Sequence, residues 1–132
     1  MNKATAHIAT AHYQTKLHNH RGIAWQADEP EEMGGSNTGP TPDELLASAL
    51  ATCAGITMRM YADRKQWPVE TIDVTVTVER TETGTILHKE TQMTGDLTEE
   101  QRERLKMIGD KCPVHKTLLN PISISTVITT SK

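Results

Sequence analysis

The stretch TPDELLASALATCAGITMRMYADRK, residues 41–65, decides the fold. It follows a loop rich in Gly, Pro, Asn and Ser, and it opens with Thr41, Pro42 and Glu44 in the spacing of a capping box. Apolar residues then recur every three or four positions, which predicts one long amphipathic helix. The predicted apolar face consists of Leu46, Ala49, Leu50, Cys53, Ile56, Thr57 and Met60. Small residues between 47 and 55 allow close packing, so we expect a central, largely buried helix.

Strand-like alternation lies on both sides of this helix. It predicts a two-stranded hairpin before the helix, with its turn at HNHRG, and a second hairpin after it. A second helix with its own capping box and a last strand follow. The predicted ranges are 7–17 and 22–27 for the first hairpin, 71–80 and 85–95 for the second, 97–112 for the helix and 122–129 for the last strand. This order predicts a single α+β domain over 1–132, with an antiparallel sheet wrapped around the central helix.

Composition narrows the classes of function. The 132-residue chain carries a net charge of −3, with its Lys and Arg residues spread along its length, so we expect neither a nucleic-acid nor a membrane partner. Phe is absent and aromatic residues make up 3%, and such a modest core favours a homodimer. The first residues lack the apolar run of a signal peptide, and no stretch approaches the roughly 20 apolar residues of a membrane span. We therefore expect a cytoplasmic protein.

The two cysteines, Cys53 and Cys112, are the residues with the most chemical potential. In the cytoplasm they are free thiols, metal ligands or a transient redox couple. Cys112 precedes Pro113 directly and His115 by three residues. The second helix either ends at Cys112, or Pro113 begins a short further helix with Cys112 as its N-cap, where a thiolate is favoured. Both geometries are open at this point.

The zinc alternative uses Cys112, His115, Cys53 and another histidine, but zinc sites usually show paired short spacings and only one is present. We therefore expect no metal and no cofactor. The redox alternative suits peroxide chemistry, in which one thiolate becomes a sulfenic acid and the other converts it to a disulfide. His115 is a candidate for assisting deprotonation of Cys112.

A peroxide-reducing thiol also needs a fixed cation, for which arginine is well suited. Arg21 in the HNHRG turn, Arg59 and Arg64 are the candidates, although each is also an ordinary solvated residue. Asp43 and Glu44 lie ten and nine residues before the first cysteine, roughly 14 to 15 Å along a helix axis. Either carboxylate would reach the thiol only through an arginine or from a partner subunit.

Four stretches together resemble the OsmC/Ohr family of osmotically inducible and organic hydroperoxide resistance proteins. They are ADEPEEMGGSNTGP, GPTPDELLASALATCAGITMRMYADRK, GDLTEEQRERL and DKCPVHKTL, and the likeness is closest to an OsmC-like branch with a CPVH motif at the second cysteine. The resemblance implies an α+β fold of intertwined homodimers with two active sites at the interface. It also implies thiol-dependent, metal-free reduction of organic hydroperoxides, with lipoylated proteins or other dithiols as reductant.

Carried over by position, the resemblance makes Cys53 the peroxidatic cysteine, Cys112 the resolving cysteine and Arg21 the catalytic arginine. The family's glutamate ten residues before the cysteine corresponds to Asp43, while Glu44 is one step off and points to a different helical face. This departure leaves an alternative open. The chain would then be an OsmC-like dimer with a degenerate site, acting as a small-molecule-binding or stress-associated protein without peroxidase activity.

Overall fold

The computed structural model describes residues 1–130 and divides into two compact units, Met1–Ser48 and Ala49–Lys132. The single domain over 1–132 therefore stays a prediction. Within residues 1–130, three α-helices and two separate antiparallel sheets form a mixed α+β architecture, which confirms the predicted fold class. The elements are β1 Ala4–Ile8, β2 Thr15–Asn19, β3 Ala24–Ala27, a 3-10 helix Glu31–Met33, α1 Pro42–Lys65, β4 Val69–Thr81, β5 Gly84–Gly95, α2 Glu99–Gly109 and α3 Pro113–Leu119.

The first unit contains a three-stranded antiparallel sheet in the order β1-β2-β3. The predicted strand over 7–17 is wrong, because the chain bends between β1 and β2 and forms two strands there. The bend has a physical cause. The backbone N–H of Tyr13 donates to the Asp28 carboxylate at 2.9 Å, and its carbonyl accepts from the Thr15 hydroxyl at 3.0 Å. The backbone N–H and carbonyl of Tyr13 are therefore engaged outside the hydrogen-bond pattern of a continuous strand.

Asp28 organises the loop that leads from the sheet to α1. Its side chain is buried, and it accepts hydrogen bonds from the backbone N–H groups of Tyr13, Glu29, Ser36 and Thr38 and from the Thr38 hydroxyl. Burial raises the pKa of Asp28, but the bonds from Thr38, Glu29 and Tyr13 outweigh it and hold that pKa well below its usual range. Asp28 therefore stays ionised and fixes the loop.

The start of α1 has the predicted capping box. The Thr41 N–H donates to Glu44 Oε1 at 2.8 Å, and the Glu44 N–H donates to the Thr41 hydroxyl at 3.1 Å. Two backbone donors that a helix start leaves without partners are satisfied in this way. The helix ends at Lys65, where Gln66 takes a left-handed conformation with φ 58°.

The second unit is built on one stripe of α1. Leu50, Ala54, Met58 and Ala62 are buried at intervals of four residues and pack in one cluster with residues of α2 and α3. The apolar face predicted from the sequence is therefore partly wrong, and its Ile56 and Met60 are exposed. Close packing explains the difference. A Cβ added to Gly109 would lie 3.0 Å from Met58 Sδ, so α2 approaches this stripe where small residues leave room.

The hairpin of β4 and β5 confirms the second predicted hairpin. The inward positions of β4, among them Val74 and Val76, pack on the cluster, as do Leu87 and Met93 of β5. Lys89 lies opposite Val76 in the antiparallel register, on the same face as these apolar residues. The predicted capping box of α2 is also present, between Thr98 and Gln101.

The strand predicted over 122–129 is wrong for the described chain, which continues there without regular structure. Alternation supplies a strand's side-chain pattern, but a strand also needs a neighbour for its backbone hydrogen bonds. No such ladder partner is present within residues 1–130. The segment leaves four large apolar side chains exposed, Ile122, Ile124, Val127 and Ile128.

By length and composition alone, α1 could cross a membrane, which the sequence analysis did not anticipate. An 18-residue window of this helix has a mean hydropathy of 1.3. A core helix has the same properties, and the buried residues of α1 in the second unit, such as Leu50 and Met58, belong to the core cluster. This packing places one stripe of α1 in the core of the second unit.

Candidate active site

The second unit brings the two thiols together. Cys53 lies in the middle of α1, partly buried at the edge of the core stripe, while Cys112 precedes α3 and is completely buried. Both are free thiols, the Cys53 side chain packs against the cluster to which Cys112 belongs, and Cys53 is near enough to raise the pKa of the Cys112 thiol. The pair thus combines one thiol within reach of solvent with one that is shielded from it.

The geometry around Cys112 resolves the alternative that the sequence left open. Pro113 begins α3, and Cys112 is its N-cap, with extended dihedral angles of φ −66° and ψ 150°. Proline suits this first helical position because its φ is already helical and it has no N–H that needs a partner. The Cys112 sulfur accepts a hydrogen bond from the backbone N–H of His115 at 3.4 Å.

Five effects set the acidity of Cys112. Burial raises the pKa of its thiol most, and the hydrogen bond to Cys53 and the charge on Cys53 raise it further. The His115 N–H and the positive charge of Lys89 lower this pKa, but the net direction is upward. Cys112 therefore keeps its proton when Cys53 is a thiolate.

Lys89 is a site residue that the sequence analysis missed. Its ammonium lies 2.9 Å from Asp110 Oδ1, 3.0 Å from His115 Nδ1 and 3.4 Å from the Gly109 carbonyl. The signal was present in the sequence, because Lys89 is in phase with Leu87 and the other inward residues of β5. An inward-pointing charge on a half-buried strand needs a partner.

The His115 imidazole was considered as an aid to deprotonating Cys112. The Cys112 sulfur accepts from the backbone N–H of His115, whereas the ring nitrogen Nδ1 of His115 faces Lys89.

Within residues 1–130, no three His, Cys, Asp or Glu side chains are grouped so that they could hold a metal ion. The zinc alternative therefore gains no support from the described residues.

The remaining predicted site residues belong to the first unit. Arg21 is exposed in the turn between β2 and β3, where its backbone N–H donates to Asn19 Oδ1 at 2.9 Å. Asp43 lies in the first turn of α1. Glu44 uses its carboxylate in the capping box with Thr41. Roles for Arg21, Asp43 and Glu44 at the thiols stay predictions.

Arg59, the other cation considered for the thiol, has a structural role in the second unit. Both of its terminal nitrogens donate to the Val69 carbonyl, at 3.0 and 2.8 Å, and its Nε lies 3.3 Å from Asp63. The guanidinium thus ties the end of α1 to the start of β4.

Three solved structures show the same fold. An OsmC-like protein from Mycoplasma pneumoniae is 20% identical with a TM-score of 0.75, over 89% of this chain and 86% of that one. An organic hydroperoxide resistance protein OsmC from Legionella pneumophila is 24% identical with a TM-score of 0.65, over 90% and 89%. The organic hydroperoxide resistance protein OhrB of Bacillus subtilis is 21% identical with a TM-score of 0.63, over 90% of each chain.

A search of curated protein sequences gives no match. The sequence model of the OsmC family, described as OsmC-like protein, matches residues 35–127, which include both cysteines. Placement in a branch with a CPVH motif stays a prediction. With a family match over most of its length and the fold of that family, the chain belongs to the OsmC family.

Proposed function

We propose that the protein is a thiol-dependent peroxidase that reduces organic hydroperoxides through Cys53 and Cys112. The observation that carries the proposal is that a partly exposed thiol, Cys53, packs on the cluster that buries a second thiol, Cys112, while the Lys89 ammonium is bonded to the residues on either side of the second. Membership of the OsmC family supports it, as do the descriptions of the Legionella pneumophila and Bacillus subtilis proteins as organic hydroperoxide resistance proteins.

In the first step the Cys53 thiolate attacks the distal oxygen of the hydroperoxide. A sulfur–oxygen bond forms and the O–O bond breaks, and both electrons of the broken bond leave with the alkoxide, which takes a proton to become the alcohol. Cys53 is thereby oxidised to a sulfenic acid while the peroxide is reduced. Cys53 is assigned this step because it is the more accessible of the two thiols.

In the second step the Cys112 thiolate attacks the sulfur of the Cys53 sulfenic acid. A disulfide forms, and the hydroxide that leaves takes a proton and becomes water. An external dithiol then restores the reduced pair by exchange and is itself oxidised to a disulfide. We propose a lipoylated protein or a similar dithiol for this role, and a cytoplasmic location, where free thiols persist.

We also propose that Arg21 and Asp43 act at the Cys53 thiol, with the arginine stabilising the thiolate and the departing alkoxide and the carboxylate orienting the arginine. Glu44 is the alternative carboxylate for this task, and it also accepts the Thr41 N–H in the capping box.

A homodimer is part of the proposal. Two apolar regions of the second unit support it, the exposed Ile56 and Met60 of α1 and the segment 122–129 with its strand-like alternation. A partner copy would supply the missing backbone ladder and cover these side chains. Light scattering on the purified protein should give twice the mass of the 14.6 kDa chain.

The experiment that tests the reaction combines alkylation with intact mass after the reduced protein has met cumene hydroperoxide. We expect the wild type to lose both free thiols. Cys112→Ser should stop at an oxidised Cys53, and Cys53→Ser, the matched control, should keep its Cys112 thiol. If both wild-type thiols remain free and can be alkylated only after unfolding, the peroxidase proposal fails and a binding function takes its place.

A further inference from the structure

Lys89 is an unusual residue for an inward strand position. Its side chain is 12% exposed, and it shares a face of β5 with Leu87 and Met93, which pack on the core. An ammonium that has left water costs free energy unless its donors are paired. A cation at this position therefore needs a reason beyond packing.

The partners of Lys89 surround Cys112 along the chain. Gly109 and Asp110 precede the cysteine by three and two residues, and His115 follows it by three. An ammonium group can only donate hydrogen bonds, so His115 Nδ1 accepts the bond from Lys89 and the neutral ring carries its proton on Nε2. These contacts fix one positive charge against the turn that holds the buried thiol.

From this arrangement we infer that Lys89 is a positioning residue for the resolving step, holding the Cys112 thiolate in the buried site while it attacks the oxidised Cys53. The inference rests on the proposed peroxidase function and adds a residue to it. Lys89 acts through its charge and the Asp110 and His115 contacts.

The influence of Cys53 on the pKa of Cys112 agrees with an order in which Cys53 reacts first. In the reduced pair, the hydrogen bond to Cys53 and the charge on Cys53 raise the pKa of Cys112. Conversion of the Cys53 thiolate to a sulfenic acid removes that thiolate charge, while the ammonium of Lys89 remains. Cys112 thus becomes easier to deprotonate only after there is a sulfenic acid for it to attack.

Other charged groups near this site define the control. On its outer side Lys89 faces a groove of about 410 Å³ between β5 and α2. The other charged residues that line it are Glu90, Glu99, Arg102, Glu103, Lys106 and Asp110. Lys106 is exposed. Lys106→Gln therefore removes one positive charge from the same neighbourhood without touching the Lys89 contacts.

The first test measures the Cys112 thiol alone, in a Cys53→Ser background that needs no peroxidase activity. The ultraviolet absorbance of the thiolate is followed against pH. We expect Lys89→Gln to move the titration midpoint upward by about one pH unit, about a tenfold loss of thiolate at a pH below the midpoint. Lys89→Arg should restore the midpoint, since it keeps the charge, and Lys106→Gln should leave it in place.

The second test separates the two steps of the reaction in proteins that keep both cysteines. After mixing with cumene hydroperoxide, Lys89→Gln should form the Cys53 sulfenic acid at the wild-type rate and the disulfide about tenfold more slowly at neutral pH. A lysine needed only for folding would slow both steps alike. Recovery of the second step in Lys89→Arg would exclude that role.

Failure of the inference and failure of the proposed function give different results. If the wild type forms no sulfenic acid, the peroxidase proposal is lost, yet the thiolate titration still decides whether Lys89 controls Cys112. An unchanged midpoint in Lys89→Gln overturns the inference. Should that variant fail to fold, the half-exposed Asp110 provides the decisive variant. Asp110→Asn removes the counter-charge of Lys89 and should lower the midpoint, and a midpoint that does not fall overturns the inference.

Discussion

Asp28 in the first unit and Cys112 in the second are both acids that the fold removes from water, with exposed fractions of 2% and 0%. Burial raises the pKa of both, yet the net shifts have opposite directions. Asp28 stays ionised below its ordinary range of pH, whereas Cys112 stays protonated above its own. Burial therefore does not by itself decide which form of an acid a fold selects.

The number of hydrogen-bond donors explains the difference. Asp28 accepts from four backbone N–H groups and a hydroxyl. Cys112 accepts from one N–H, that of His115, and has a second acidic thiol, Cys53, against it. A carboxylate surrounded by donors is a permanent part of the architecture. A thiol with few donors keeps its proton until its surroundings change, which suits a group that reacts second.

The two acids affect stability at opposite ends of the pH range. The pKa of Asp28 is lowered on folding. Its contribution to the free energy of unfolding is therefore present above the ordinary aspartate pKa of about 3.9 and is lost as pH falls. The pKa of Cys112 is raised on folding. Its contribution to the free energy of unfolding is therefore present below the ordinary thiol pKa of about 8.5 and is lost as pH rises.

The largest expected effect comes from a cavity in the core cluster that contains Cys112. Leu105 is fully buried in the same core cluster, and Leu105→Ala should lower the free energy of unfolding by about 2 to 5 kcal/mol, measured by urea denaturation. Met107→Ala, on the half-exposed side of α2, is the control and should cost much less. Equal costs for the two variants would contradict this account of the core.

A smaller effect should follow from removing the charge that the first unit is arranged around. Asp28→Asn replaces one acceptor oxygen by an amide that donates. Either the Thr38 N–H at Oδ2 or the N–H groups of Tyr13, Glu29 and Ser36 at Oδ1 then lose their acceptor. We expect a lower temperature of unfolding at neutral pH and a weaker loss of stability on acidification below pH about 4 than in the wild type. Glu29→Gln serves as the control. If the wild type and Asp28→Asn lose stability equally on acidification, Asp28 is not the group that causes the loss.

The smallest expected effect is a change in the pKa of Cys112 when Cys53 is replaced. Cys53→Ala removes both the hydrogen bond and the charge that raise the pKa of Cys112, so this pKa should fall by less than about one unit. Cys53→Ser, which keeps a hydrogen-bonding group without the charge, should lie between Cys53→Ala and the wild type. Nuclear magnetic resonance of cysteine labelled at Cβ follows Cys112 in each protein. A rise of the pKa in either variant would reverse the assigned role of Cys53.

Local signals in the sequence predicted much of the fold. The capping boxes at Thr41 and Thr98 are short-range hydrogen-bond patterns, and both helices begin where these patterns indicate. The long hairpin followed from an alternation that both strands share. The bend before β2 was missed because it has neither glycine nor proline, and its cause, the Tyr13 bond to Asp28, joins residues 15 positions apart.

The candidate site was harder to predict than the fold. Cys53 and Cys112 stand out as the two cysteines of the sequence, and the family resemblance assigned their roles. Whether Pro113 ended one helix or began another depended on packing. Lys89 is separated from His115 by 26 positions, so no local spacing connects them. The strand predicted over 122–129 failed for a related reason, because its alternation says nothing about where a neighbouring strand lies.

The inward position of Lys89 also has a consequence for how the hairpin finds its alignment. Side chains alternate between the two faces of a strand, so a slip of one residue would carry Lys89 to the outer face and turn His88 or Glu90 towards the core. Asp110 and the Gly109 carbonyl would then face no cation, or would face a second acid. The same slip would also carry Leu87 and Met93 away from the core, so the ion pair and the apolar residues select the same alignment. The bond between Lys89 and Asp110 therefore marks the one alignment in which β5 is correctly formed.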